Sequence, residues 1–204
     1  MLEGKDKPLD EQIKVFEKII LKSPTIDKVL KTLADYAEKN KKFSNYYLAA
    51  GSINQTILNY YHQFPLESFI KDLDIVYYDS DTSYEAEDKI IKELSELLKD
   101  IPLEFDIKNE ARVHLWYKEK YQNEIEPYKN IEDAIKRWGT TITCIGIRLE
   151  NSKLKIYAPY GLNDLFNLII RPVKYQFQKE SYLEKTSRWK KNWPLLEIKD
   201  WDSI

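Results

Sequence analysis

The chain opens with two amphipathic helical patterns. Ile13, Phe16, Ile19 and Ile20 recur at helical spacing. Ser23-Pro24 then reads as an N-cap followed by proline at the first helical position. Ile26, Val29, Leu30, Leu33 and Ala37 continue the second helix as one apolar stripe. At residue 46 the pattern changes. Residues 46–50, Tyr-Tyr-Leu-Ala-Ala, form a short strand-like run that ends at Gly51-Ser52. Ile53, Ile57, Leu58 and Tyr61 then share a helical face. Residues 73–78, β-branched and aromatic, read as a strand. Asp79-Ser80-Asp81 turns the chain, and a helix is predicted over 84–99 with Ile90, Ile91, Leu94, Leu97 and Leu98 on one face. Pro102 stops it, and 103–107 alternates as another strand.

The second half is less regular. Helices are predicted over 109–121 and 131–138. A strand pair, 141–149 and 154–157, is joined by Glu150-Asn151-Ser152-Lys153. Residues 163–170 read as a helix ended by Pro172, and a charged, aromatic helix and tail follow. Strands interleave with helices, but no glycine-rich phosphate loop opens any of them, which argues against a Rossmann or Walker-type site. The domain reading is a helical addition over 1–40, a core over 41–174, and a C-terminal helix and tail over 175–204.

Composition narrows the chemistry. With 204 residues, 43% of them hydrophobic and 32% charged, the chain suits one globular domain. Its formal net charge of −2 argues against a protein that coats duplex nucleic acid, although a local basic cleft stays open. One cysteine, Cys144, excludes an internal disulfide framework and a thiolate zinc cage. Two histidines, His62 and His114, leave little for a histidine metal site or a Ser-His-Asp triad. Metal chemistry would therefore rest on carboxylates, with magnesium or manganese as the natural ion. The start has no apolar signal core and the longest apolar runs fall far short of a bilayer span, so the expectation is a cytoplasmic protein without a membrane partner.

Acidic pairs spaced by two are common here, so spacing alone proves nothing. Context separates two of them. Period-2 alternation puts Asp72 and Asp74 on one strand face and Leu73, Ile75 and Tyr77 on the other. It divides Glu104 and Asp106 from Leu103, Phe105 and Ile107 in the same way. Carboxylates crowded on one face repel unless a divalent cation neutralises them. The plain alternative is a solvated sheet face. Gly51-Ser52, about twenty residues earlier between strand and helix, has a similar double reading. It is a turn with a serine cap, or a place where a phosphate approaches the backbone at a helix N-terminus.

The order strand, Gly51-Ser52, helix, strand with Asp72 and Asp74, helix, strand with Asp106 resembles the DNA polymerase beta-like nucleotidyltransferase superfamily. Further blocks narrow the match: 71–79 (KDLDIVYYD), 106–117 (DIKNEARVHLWY), 132–138 (EDAIKRW) and 156–172 (IYAPYGLNDLFNLIIRP). Together they resemble a bacterial nucleotidyltransferase-like family of unassigned substrate, over roughly 46–172. The implied fold is α+β, a nucleotidyltransferase-like mixed β-sheet flanked by helices, here with a helical N-terminal addition.

The resemblance implies roles. Gly51 and Ser52 fall on the phosphate-side turn, Asp72 and Asp74 on the metal pair, and Asp106 on the third acid that helps activate the attacking hydroxyl. In such enzymes magnesium or manganese bridges the nucleotide phosphates in an in-line displacement. Lys71, Lys108 and Arg112, with Arg137 and Arg171, lie inside the resembling blocks and are candidates to balance triphosphate charge. Two departures stand out. Asn54-Gln55 stands where some relatives carry a basic residue, and Asn163 precedes Asp164 where an acid is expected. The expected function is transfer of a nucleoside monophosphate from a nucleoside triphosphate to an unknown acceptor. The alternatives are an inactive nucleotide-binding or interaction module of the same fold, and a nucleic-acid-binding factor. His114 is expected to be packed and hydrogen-bonded, and Trp116 and Trp138 to be core or wall.

Overall fold

The computed structural model describes residues 2–203. Helices α1 (Leu9–Ile20) and α2 (Pro24–Lys39) lead into strand β1 (Tyr46–Ala49). Then follow α3 (Gly51–Tyr61), β2 (Asp72–Tyr77), α4 (Tyr84–Leu97), β3 (Glu104–Asn109), α5 (Val113–Tyr121), α6 (Ile131–Lys136), β4 (Gly146–Glu150) and β5 (Lys153–Tyr157). The chain closes with α7 (Asn163–Phe166), β6 (Ile169–Ile170), α8 (Lys179–Asn192) and β7 (Glu197–Ile198). Five of the described strands form one mixed sheet in the order β3-β2-β1-β4-β5. β2 and β3 are parallel, with α4 as their crossover, and the other neighbours are antiparallel. The fold is the α+β mixed sheet flanked by helices that the resemblance implies.

The two faces of the sheet do different work. Tyr46, Leu48, Leu73, Ile75, Tyr77, Ile107 and Ile147 join one large core. The stripes of α1 and α2 enter the same core through Phe16, Ile19, Ile20, Ile26, Val29, Leu30 and Leu33. α1 packs on α3, and α2 on β4. Ser23 caps α2 by accepting from the Ile26 N–H at 3.2 Å. On the opposite face Tyr47, Ala49 and Val76 meet Ile131 and Ile135 of α6, with Cys144 and Val173. Among the described residues no helix is long and apolar enough to cross a membrane.

Several boundaries depart from the periodicity. Helix α7 ends at Phe166 because Leu168 takes a positive φ of 57° and the next two residues pair in parallel with β7. Strand β4 begins only at Gly146. Residues 140–144 are instead held in a turn, with the Thr143 and Cys144 N–H groups on the Thr140 carbonyl. β3 runs on to Asn109, which then caps a single 3-10 turn over Glu110–Arg112. The helix expected from 109 therefore starts at Val113.

Candidate active site

β2 and β3 deliver the acids. Their parallel register sets Asp74 opposite Asp106, and Asp72 opposite Glu104. Leu73, Ile75 and Tyr77 point into the large core. Asp72, Asp74, Val76, Asp106 and Lys108 line a cavity of about 340 Å³ on the other side. This is the division that period-2 alternation predicts. Glu104 is exposed and does not line the cavity.

The turn from β1 into α3 forms one edge of that cavity. Ala50, the N-cap residue, adopts φ 53° and ψ −126°, outside the ordinary regions for a residue with a side chain. Such strain, on the order of 1–3 kcal/mol, persists where the surroundings over-determine the backbone. The N–H of Gly51 is thereby aimed at Asp74 Oδ2, 3.4 Å away. A Cβ at Gly51 would stand 3.0 Å from Gln55 Nε2 and 3.8 Å from Asp74 Oδ2, so glycine keeps this edge open. Ser52 is not the cap. It lies inside the first turn, fully buried, and its hydroxyl donates to the Ala49 carbonyl at 3.4 Å. Its side chain does not line the cavity, so it offers a phosphate only the N-terminal backbone of α3. Asn54 is buried with its amide on the Ile142 carbonyl, while Gln55 lines the cavity and its Oε1 has no partner.

The cations divide differently from expectation. Lys108 lines the cavity and pairs with Asp106. Lys71 is exposed and outside it. Arg112 pairs with Glu87 and donates from Nε to the Thr82 carbonyl at 2.9 Å, which fastens β3 and α5 to α4 rather than facing the cavity. Arg137 forks onto Asp133 at 2.9 and 2.8 Å, and Arg171 onto Asp164 at 3.1 and 3.3 Å. Asp164 also accepts from the Thr141 hydroxyl, so that block stitches the loop before β4 to α7. The other cations at the cavity come from α8. Lys185, Arg188 and Trp189, at helical spacing i, i+3, i+4, line the cavity together.

Three charges in the cavity are displaced from their ordinary values. Burial, with Asp72 and Asp106 nearby, pushes the Asp74 carboxyl up to about 6; Lys108 and Lys185 oppose the shift. Burial pushes Glu110 up to about 8, against Lys108 and with Asp74 and Asp106. Burial lowers Lys185, while Asp74 opposes the change. These are the signs of crowded carboxylates and a desolvated ammonium sharing one space.

The donor set fits a hard divalent cation. It is oxygen-only, and the cost of ionising Asp74 among other acids is what a dication would remove. Among the described residues no three acid, histidine or cysteine side chains already enclose an ion, and Asp106 is turned onto Lys108. Magnesium commonly uses one or two carboxylates together with substrate phosphates and water, so a closed protein cage is not required.

Trp116 and Trp138 are cavity walls, as expected. His114 is half-buried, and among the described residues its buried Nδ1 has no partner. Sequence reasoning passed over Lys185, Arg188 and Glu110. Glu110 stood at the next alternate position after Asp106 and Lys108, whereas the i, i+3, i+4 spacing in α8 groups its residues on one face without saying what that face meets.

Against this geometry the comparisons are direct. A solved structure, an NMR structure described as revealing a CCA-adding enzyme head domain, is similar to the chain. It superposes with a TM-score of 0.69 at 25% identity, covering 98% of this chain and 100% of that one. No curated protein sequence matches the chain. The model of a family described as nucleotidyltransferase matches residues 37–198, from the end of α2 through β7. The chain, with its acid-bearing strands and α8 inside that match, belongs to this nucleotidyltransferase family.

Proposed function

We propose that the cavity transfers a nucleoside monophosphate from a nucleoside triphosphate to an acceptor hydroxyl. The observation that carries this reading is the convergence of Asp72, Asp74 and Asp106 on one cavity wall beside the start of α3. Asp72 and Asp74 would hold magnesium or manganese. The ion would neutralise the triphosphate oxygens and the leaving pyrophosphate. The Gly51 end of α3 and the ammonium of Lys185, with Arg188 beside it, offer donors and positive charge to the phosphates. The acceptor oxygen forms a bond to the α-phosphorus as the bond from that phosphorus to the bridging oxygen breaks. Asp106 takes the acceptor proton and pyrophosphate departs. Lys108 is paired with Asp106 before substrate binds and would have to release it for the task.

Thermal unfolding in the presence of triphosphate and magnesium tests the binding half. A ligand at a hundred times its dissociation constant adds about 2.7 kcal/mol to the folded state. For a chain of this size that is roughly 5 to 11 °C in Tm. Asp72→Asn and Asp74→Asn should lose most of the shift. Glu104→Gln, opposite Asp72 on the neighbouring strand but outside the cavity, should keep it. Transfer of label from the α-phosphate, and never from the γ-phosphate, to a component of cell extract tests the chemical half. Binding without transfer to any fraction would favour the inactive nucleotide-binding module. Equal shifts in wild type and both aspartate variants would place the ligand elsewhere.

A further inference from the structure

Lys108 pairs with Asp106, the carboxylate that has to be free to take the acceptor proton. An ammonium on that carboxylate lowers its basicity, and a dication at Asp72 and Asp74 would repel the ammonium. The lysine therefore needs a second partner. Alternation along β3 puts one on the same wall. Asp106, Lys108 and Glu110 all line the cavity, while Ile107 enters the large core and Asn109 is buried. At about 3.3 Å per residue, Lys108 stands about 7 Å along the chain from each acid, within reach of its four-carbon stem. Its ammonium lies over the ring of Trp116, 5.9 Å from the centre, in the helix that follows Glu110. Glu110 is 4% exposed. Its carboxyl opens on the cavity, and no hydrogen bond or ion pair reaches it among the described residues. Its backbone is held in place by Asn109, whose Oδ1 accepts from the Ala111 N–H at 3.1 Å and the Asp79 N–H at 3.0 Å. The lysine is thus the part able to move. Phosphates would not compete for it, because β2 lies between β3 and β1, whose end carries the Gly51 turn.

We propose that Lys108 has two positions: paired with Asp106 in the ligand-free protein, it passes to Glu110 when a magnesium triphosphate binds, and so frees Asp106 to act as the base. Glu110 is then a positioning residue. The inference rests on the nucleotidyl-transfer reading, because it takes the dication to lie at Asp72 and Asp74. The exchange moves one proton. In the ligand-free protein burial pushes the Glu110 carboxyl up to about 8, Lys108 opposes this, and Asp74 and Asp106 add to it. The acid is therefore neutral at pH 7. With the ammonium beside it the carboxylate form is favoured, so the Glu110 O–H gives its proton to solvent in the cavity while Lys108 keeps all of its own. The other groups packed around Glu110 do not take that proton. Burial keeps Tyr117 and Tyr128 as neutral phenols. Arg137 is forked onto Asp133, and Arg112 is paired with Glu87.

The test counts protons. Magnesium-loaded ATP, CTP, GTP and UTP, whose γ-phosphates are already ionised at pH 7, are titrated into the protein by calorimetry. Repeating each titration in buffers of different ionisation enthalpy gives the protons released per triphosphate bound. Wild type at pH 7 should release about one proton more than Glu110→Gln, whose amide fills the same space and has none to lose. At pH 9 the carboxyl is ionised before binding, so the wild-type release should fall by about one proton. Placed in a Lys108→Met background, Glu110→Gln should make no difference to the count, because nothing then draws the proton from Glu110. Equal release by wild type and Glu110→Gln at pH 7 would overturn the hand-over. So would a wild-type count unchanged between pH 7 and pH 9, even if Glu110→Gln fails to fold. A Glu110 proton still released without Lys108 would assign its loss to the dication and overturn the hand-over too. Any of these results, with binding still abolished by Asp74→Asn, would leave nucleotidyl transfer standing. No saturable binding of any of these triphosphates would take down both.

Discussion

Asp74 and Asp106 stand opposite one another on the parallel strands β2 and β3, and both carboxyl groups face the cavity. A sheet that sets two acids side by side, with Asp72 two residues away, accepts electrostatic repulsion in the ligand-free protein. Strands with an alternating pattern had room for neutral residues at these positions. On the nucleotidyl-transfer reading proposed above, the acids mark a place where folding stability is given up for binding.

The cost is measurable through pH. Asp74 has a folded-state value of about 6 against an ordinary 3.8. The folded chain thus holds the proton more tightly than the unfolded chain. The penalty is fully present above about pH 6. It fades as pH falls toward 3.8, and stability from this group rises over that window. Its scale is on the order of 1–3 kcal/mol at pH 8. Asp74→Asn, which keeps an oxygen for the Gly51 N–H, should be more stable than wild type at pH 8 without metal or nucleotide. The difference in urea midpoint should close by pH 4. A variant less stable than wild type at pH 8 would show that the carboxylate is satisfied rather than strained.

Much of this site was legible in the sequence because alternation is a local property. Leu73, Ile75 and Tyr77 announce which way Asp72 and Asp74 must face once one side is buried. The start of α2 was equally local, since Ser23-Pro24 is a cap signal that needs no tertiary partner. The cation assignments were not local. Arg112 follows the acid strand in sequence, yet its partner Glu87 comes from α4. Lys185 and Arg188 lie far from the acids along the chain, and α8 is flanked by the parallel pairing of β6 with β7. No pattern within α8 says which of its faces will meet β2 and β3. Ser52 was misplaced for another reason. Its cap role assumed ordinary backbone at residue 50, and with Ala50 at positive φ as the N-cap the helix starts two residues earlier.

The Arg112 pairing leads to a prediction that separates framework from site. Both side chains are 12% exposed. Glu87 also accepts the Asn109 N–H at 2.8 Å, so the pair fixes the end of β3. Arg112→Met leaves Glu87 charged and nearly buried without its partner. Loss of one member of a buried pair costs about 3–5 kcal/mol, and the remaining exposure puts this case at the lower end, about 3 kcal/mol. Urea denaturation should show that loss. Triphosphate affinity, measured well below the unfolding transition, should stay within about twofold of wild type, since a lost direct phosphate contact would cost more. A large fall in affinity with unchanged stability would return Arg112 to the substrate.

Lys185 should behave in the opposite way. Burial lowers its affinity for the proton, Arg188 adds to that, and Asp74 opposes it. The folded chain holds this proton less tightly than the unfolded chain, so the charged ammonium destabilises the ligand-free fold at neutral pH. That penalty disappears only as pH rises toward the ordinary 10.5. The ammonium lies 5.9 Å from the ring centre of Phe177 and 5.2 Å from that of Trp189, contacts that return part of the cost. Lys185→Met keeps the packing and removes the charge. Without ligand it should be as stable as wild type or more so at pH 7. Removing the ammonium also removes one of the forces that keep Asp74 ionised, so the pH window of the Asp74 penalty should move upward in this variant. Triphosphate affinity should fall at least tenfold, the scale of a charge-assisted hydrogen bond worth about 1.5–3 kcal/mol. Affinity for the matching nucleoside should change little. A Lys185→Met protein that is clearly destabilised and binds triphosphate normally would make this lysine a strut between α8 and the sheet.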